Sequence, residues 1–263
     1  MKVKKQWLYG VAFCMAAMVG FAGWKYLSSP KAVCHVEDFS PWAAIETAVH
    51  PIGKEKPEEK RVFLTFDDGP SSTTEEILKI LQQEQVPASF FVIAAENNQE
   101  YLPLLSQMEK EGHTIALHTC THEYSKIYSS TVAYWEDIEA LKEKISPYIT
   151  SQPQWLRFPG GSTNTVSRKY GGSGLMEKLM NQAEEKGYKA LDWNVSAEDA
   201  VGGTKSPESI VQRVIKDSKG HNTCVVLMHD SKETKTTAKA LPDIIAWYKQ
   251  EGYRFCSLQQ ENP

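Results

Sequence analysis

The chain has 263 residues, 41% of them hydrophobic and 24% charged, which is enough apolar side chain for a full core and excludes a chain disordered throughout. Its net charge is −4, but residues 1–30 hold four lysines and no acid, so the remainder carries −8; that balance argues against nucleic acid as a partner. Five cysteines in a chain of this length are too sparse for a disulfide framework.

In chain order, Lys2, Lys4 and Lys5 precede an uncharged stretch from Trp7 to Trp24, and Lys25 follows. That stretch approaches the ~20 apolar residues that cross a bilayer. Residues 1–27 are therefore expected to form an N-terminal transmembrane helix, with the lysines before it keeping the N-terminus in the cytoplasm and the bulk of the chain outside. A secretory signal cleaved near Gly20-Phe21-Ala22, giving a secreted protein, is the alternative. Residues 28–57, bearing Pro, Lys and Glu without a clean period, are expected to be a linker. Residues 58–263 are left as the folded domain, and nothing in them implies a protein partner.

Within that domain, short apolar runs alternate with amphipathic stretches. Val62 to Phe66, Ala88 to Ile93, Thr114 to Leu117, Trp155 to Phe158, Lys189 to Leu191, Cys224 to Met228 and Tyr253 to Cys256 are the predicted strands. Helices are predicted over Thr74 to Gln85, Tyr101 to Glu111, Val132 to Lys144, Leu175 to Lys186, Ser209 to Lys219 and Lys239 to Glu251. Strand and helix in repeated alternation mean a parallel sheet covered by helices. A closed barrel is expected, with an open doubly wound sheet as the alternative. Gly160 to Met176, rich in Gly, Ser, Thr and Asn, is too polar for a core and is expected to be a substrate-side loop. Cys34, Cys120, Cys224 and Cys256 are expected as buried free thiols, with a Cys224–Cys256 bond the alternative.

Parallel strands end on one face, so residues just past their C-terminal ends can share a pocket. Asp67, Asp68, His118, Arg157, Asp192 and His229 all sit where an apolar run gives out. Asp67-Asp68-Gly69-Pro70 alone could be a capped turn. His118 and His122 are four apart, a spacing that puts both imidazoles on one side of a helical turn, and imidazole with carboxylate suits zinc and similar cations. Arg157 could grip a carboxylate through two hydrogen bonds or lie in a surface ion pair. His229 ends an almost wholly apolar strand. Together these residues suggest a metal-assisted hydrolase.

Thr65-Phe66-Asp67-Asp68-Gly69-Pro70, His118-Thr119-Cys120-Thr121-His122, Arg157-Phe158-Pro159-Gly160, Asp192-Trp193 and Leu227-Met228-His229, in this order, resemble the five motifs of the NodB-homology polysaccharide deacetylases, carbohydrate esterase family 4. The resemblance covers about residues 58–258. It implies a distorted (β/α)7-8 barrel and one divalent metal ion, zinc or else cobalt, nickel or manganese, held by Asp68, His118 and His122. It further implies Asp67 as general base, Arg157 as the residue that orients it, His229 as general acid and Asp192 as the carboxylate holding His229. Gly160, Trp193 and Leu227 would contact substrate, Leu227 at the acetyl group. Two positions depart from the commonest pattern: Gly160 stands where a tyrosine is frequent, and Thr119 where serine is.

The expected activity is removal of N-acetyl groups from a cell-envelope polysaccharide, peptidoglycan GlcNAc or MurNAc, by an enzyme anchored in the cell membrane. An O-acetyl esterase acting on xylan or another glycan is the alternative within the same chemistry. A silent glycan-binding module is the alternative outside it.

Overall fold

A computed structural model of the chain describes residues 59–258. The expected anchor over 1–27 and the linker over 28–57 lie outside the described residues. Among the described residues no helix is long and apolar enough to cross a membrane.

The elements run β1 (Arg61–Asp67), α1 (Ser72–Glu84), β2 (Ser89–Ile93), α2 (Leu104–Lys110), β3 (Thr114–Thr119), α3 (Tyr124–Ile127), α4 (Thr131–Ile145), β4 (Trp155–Leu156), α5 (Ser167–Gly171) and α6 (Leu175–Glu185). There follow β5 (Lys189–Ala190), β6 (Val195–Ser196), α7 (Pro207–Ser218), β7 (Thr223–His229), α8 (Lys235–Gln250) and β8 (Arg254–Cys256). Every pairing is parallel, in the order β5-β4-β3-β2-β1-β7-β6. β7 takes one edge of β1 along its whole length. β2 and β8 share the other, β2 at Thr65–Asp67 and β8 at Arg61–Phe63.

β5 and β6 share no ladder, so the architecture is an α/β half-barrel of parallel strands rather than the closed ring expected from the sequence. The chain between them offers little to a neighbouring strand, because the carbonyls of Leu191 and Asp192 are already bonded by the Arg157 guanidinium.

The two-residue period of a strand sorts the core into two clusters. Val62, Leu64 and Phe66 face the helices, packing with residues such as Ile77, Leu81, Leu241 and Ile245. Phe63 faces the other way and joins Phe91, Ala116, Trp155, Leu191 and Val225 inside the half-barrel. The inward positions therefore change character along each strand: Phe63 is followed by Thr65 and Asp67, Ala116 by His118, and Val225 by Leu227 and His229. The half-barrel is apolar at its floor and polar at its C-terminal mouth, which is where a site can form.

Local signals explain the element ends. Ser71 caps α1, its hydroxyl accepting from Thr73 N while Thr74 returns a bond to the Ser71 N–H, so two otherwise orphaned donors are satisfied. Cys120 and Cys224 are buried and free. Cys256 is disulfide-bonded, and not to Cys224, which corrects the expectation of a free thiol at 256.

Candidate active site

Asp67 and Asp68 leave β1 in different directions. Asp67 keeps the strand's inward orientation and is almost wholly buried. Asp68 adopts φ +72°, a left-handed conformation that non-glycine residues rarely hold, and this turns its carboxylate toward β3. There its Oδ1 lies 3.5 Å from His118 Nε2 and 3.3 Å from His122 Nε2. His118 is still within β3, whereas His122 sits in the following loop at φ +56°. The two imidazoles thus converge by a turn of the loop, and the helical turn expected from their four-residue spacing does not form.

This trio suits a cation. His118 Nδ1 lies 2.6 Å from the Arg157 carbonyl, which can only accept, so Nδ1 carries the proton and the Nε2 lone pair faces Asp68. Burial pushes His118 down to about 3, with Asp68 pulling only partly the other way, so the ring is neutral as a metal ligand must be. Asp68 Oδ1 is buried with no hydrogen-bond partner. One ligand atom from each of the three residues lies within 4.8 Å of the others.

Arg157 is the largest fully buried side chain among the described residues. Its Nη1 donates to Asp67 Oδ1 at 2.8 Å and to Thr65 Oγ1 at 2.9 Å, Nε to Leu191 O and Nη2 to Asp192 O. The guanidinium also lies 4.1 Å from the Phe91 ring centroid. Burial pushes the Asp67 carboxyl up, opposed by the charge and hydrogen bond of Arg157 and by the charge of His229.

His229, paired with Asp67 across β1 and β7, is held by Asp199. Nδ1 lies 2.8 Å from Asp199 Oδ1, and the His229 backbone N–H donates to Asp199 Oδ2 at 2.8 Å. Thr237 Oγ1 bonds the same carboxylate. Burial works against protonation of His229, but the hydrogen bond and charge of Asp199 outweigh it, with Asp68 and Asp67 adding, and hold the imidazole at about 9.

Asp192, expected at His229, is elsewhere. Its carboxylate accepts from Ser162 N at 3.0 and 3.2 Å and from Ser162 Oγ at 2.5 Å, pinning the loop after Gly160. The reason is topological. Asp192 follows β5 at the open edge, whereas Asp199 follows β6, whose Ser196 pairs with Leu227 on β7. Asp199 obeys the same rule as the other site residues, but its strand is two residues long and carries one apolar residue, Val195, so the sequence signal was faint.

Of the expected substrate contacts, Leu227 lines the inner face beside Thr65. Gly160 is exposed at φ +77°, and its N–H makes no hydrogen bond among the described residues. The Trp193 ring lies against Gly161, with atoms 3.2 and 3.4 Å from where a Cβ there would be.

Comparison with known proteins shows the family. The polysaccharide deacetylase family profile matches residues 54–173. A peptidoglycan-N-acetylglucosamine deacetylase of Bacillus cereus is 30% identical over 258 residues, covering 94% of this chain and 89% of that protein. The crystal structure of the catalytic domain of a peptidoglycan N-acetylglucosamine deacetylase from Eubacterium rectale superposes with a TM-score of 0.73 at 37% identity, covering 85% of this chain and 96% of that one. A carbohydrate esterase family 4 esterase from Streptococcus mutans superposes with a TM-score of 0.67 at 30% identity, covering 76% and 87%. The chain belongs to the polysaccharide deacetylases of carbohydrate esterase family 4 and is a hydrolase of that family.

Proposed function

We propose that this enzyme removes N-acetyl groups from peptidoglycan, at GlcNAc or MurNAc, and that its N-terminal segment, with residues 7–24 in the bilayer, holds residues 58–263 outside the cell membrane. One observation carries the chemistry: the Asp68, His118 and His122 cluster lies beside a buried, arginine-paired carboxylate, Asp67, whose neighbour across β1 and β7 is the carboxylate-paired His229. The substrate is supported by the activity named for the Bacillus cereus and Eubacterium rectale relatives.

Asp68, His118 and His122 would hold a divalent cation, zinc in the first instance. When bound, such an ion polarises the acetyl carbonyl and lowers the pKa of its water towards ~7. Asp67, close to the cluster with its Oδ2 3.9 Å from His118 Nε2, takes the proton of the attacking water. Arg157 keeps that carboxylate oriented and favours its ionised form. His229, protonated at neutral pH, gives its proton to the departing sugar nitrogen, and Asp199 preserves both its charge and its orientation. The free Gly160 N–H is available to the developing oxyanion, and Leu227 lines the acetyl pocket.

Acetate release by the full chain from peptidoglycan, a GlcNAc tetramer and acetylxylan, measured side by side, tests this. The expected result is acetate together with new free amine from peptidoglycan. Acetate from acetylxylan alone would place the enzyme among O-acetyl esterases instead.

A further inference from the structure

Tyr124, at the start of the short α3, stands between the proposed metal ligands and the loop after β4. Its ring meets His122 edge-on, with centroids 5.4 Å apart and an interplanar angle of 89°. On the other side its hydroxyl lies 3.1 Å, and its Cε1 3.7 Å, from the point a Cβ on residue 160 would occupy. Beneath it, buried Tyr128 packs against the ring at 5.7 Å and ties the loop down through its hydroxyl bond to Pro159 O at 2.8 Å.

The two tyrosines differ in one respect. The Tyr128 hydroxyl is spent on the backbone, whereas the hydroxyl of half-exposed Tyr124 makes no hydrogen bond among the described residues. Gly160 beside it presents a bare N–H and no side chain. A phenol with a flat apolar ring and an unspent polar tip, fixed at the rim of a hydrolytic site, matches the alternating apolar faces and hydroxyls of a sugar.

Resting on the hydrolase reading above, we propose that Tyr124 is a substrate-binding residue, its ring packing against the acetamido sugar and its hydroxyl hydrogen-bonding a polar group of that sugar. Residue 160 sits at φ +77°, which favours glycine, and the absence of a side chain there leaves the Tyr124 hydroxyl uncovered on that side. The aromatic wall on this side of the cleft is thus supplied from α3 rather than from the Arg157-Phe158-Pro159-Gly160 segment.

Tyr124→Phe removes the hydroxyl and keeps the ring. With zinc-loaded full chain, KM for a GlcNAc tetramer should rise about three- to tenfold, the worth of one neutral hydrogen bond, while kcat stays within about twofold. Metal content and melting temperature should stay at wild-type values. In an Asp67→Asn background, where the tetramer is bound without being consumed, its dissociation constant should rise by the same factor. That shift supports the proposal even where the wild-type chain releases no acetate, so the sugar contact and the hydrolase reading fail separately. Unchanged KM and unchanged dissociation constant in both Tyr124→Phe and Tyr124→Ala would overturn it. Should Tyr124→Ala lose metal or unfold, the Tyr124→Phe result decides.

Discussion

His229 and Asp199 meet twice, imidazole Nδ1 to Oδ1 and backbone N–H to Oδ2, each at 2.8 Å. A carboxylate held at two points and braced by Thr237 has no freedom to turn away. It fixes the tautomer of the ring and leaves Nε2 for the reacting groups.

This pairing sets the alkaline limb of the reaction. With His229 held at about 9, the acid form persists through the neutral range, and kcat/KM should fall as pH rises through about 9. Asp199→Asn keeps the shape and removes the charge, so the limb should move down towards the ~6.5 of an unperturbed histidine, with at least a tenfold loss at pH 8. A limb that stays in place would detach Asp199 from the acid.

Asp192→Ala should act differently. It leaves the Ser162 N–H and hydroxyl without their acceptor and loosens the loop from Gly160 to Asn164. KM for peptidoglycan should rise several-fold while the alkaline limb stays at about 9. A shifted limb would restore Asp192 to the role first expected of it.

Arg157 and Asp67 are both buried, so removing one strands the other. Arg157→Leu should cost about 3–5 kcal/mol, the usual penalty for breaking a buried ion pair, read as a lower midpoint in urea. It should also push the Asp67 carboxyl further up and carry the acid limb of kcat/KM to higher pH. Arg157→Lys should recover little, because one ammonium cannot serve Asp67, Thr65 and two backbone carbonyls together.

Gly69 has no space for a methyl group. A Cβ there would lie 2.0 to 2.4 Å from the carboxylate atoms of Asp230, which is buried and bonded by Thr74 Oγ1 at 2.6 Å. Gly69→Ala should destabilise by about 1–3 kcal/mol and lower turnover by displacing Asp67 and Asp68. Combining it with Asp230→Ala should cost less than the sum of the two single changes.

Much of this was legible because β1, β2, β3 and β7 are long apolar runs whose ends coincide with polar residues, so Asp67, Asp68, His118 and His229 could be placed on one rim from the sequence. The same cue put Arg157 at the end of β4, but nothing in the sequence revealed that its guanidinium is wholly buried. The illegible part lies at the open edge. β6 has two residues and no period to detect, so Asp199 looked like a loop acid, while Asp192 stood after the more visible run ending at Leu191. His122 was placed on a helical turn by its spacing, yet it reaches the cluster through positive φ at His122 and Asp68. Strain of that kind leaves no mark in a pattern of residue types.

The most direct test of the account is bound metal measured alongside acetate release, on wild-type full chain and three variants dialysed against zinc. The wild type should hold about one ion per chain, His118→Ala and His122→Ala should lose both ion and acetate release, and Asp67→Asn should keep the ion and release no acetate. Equal metal content in all four proteins would contradict it.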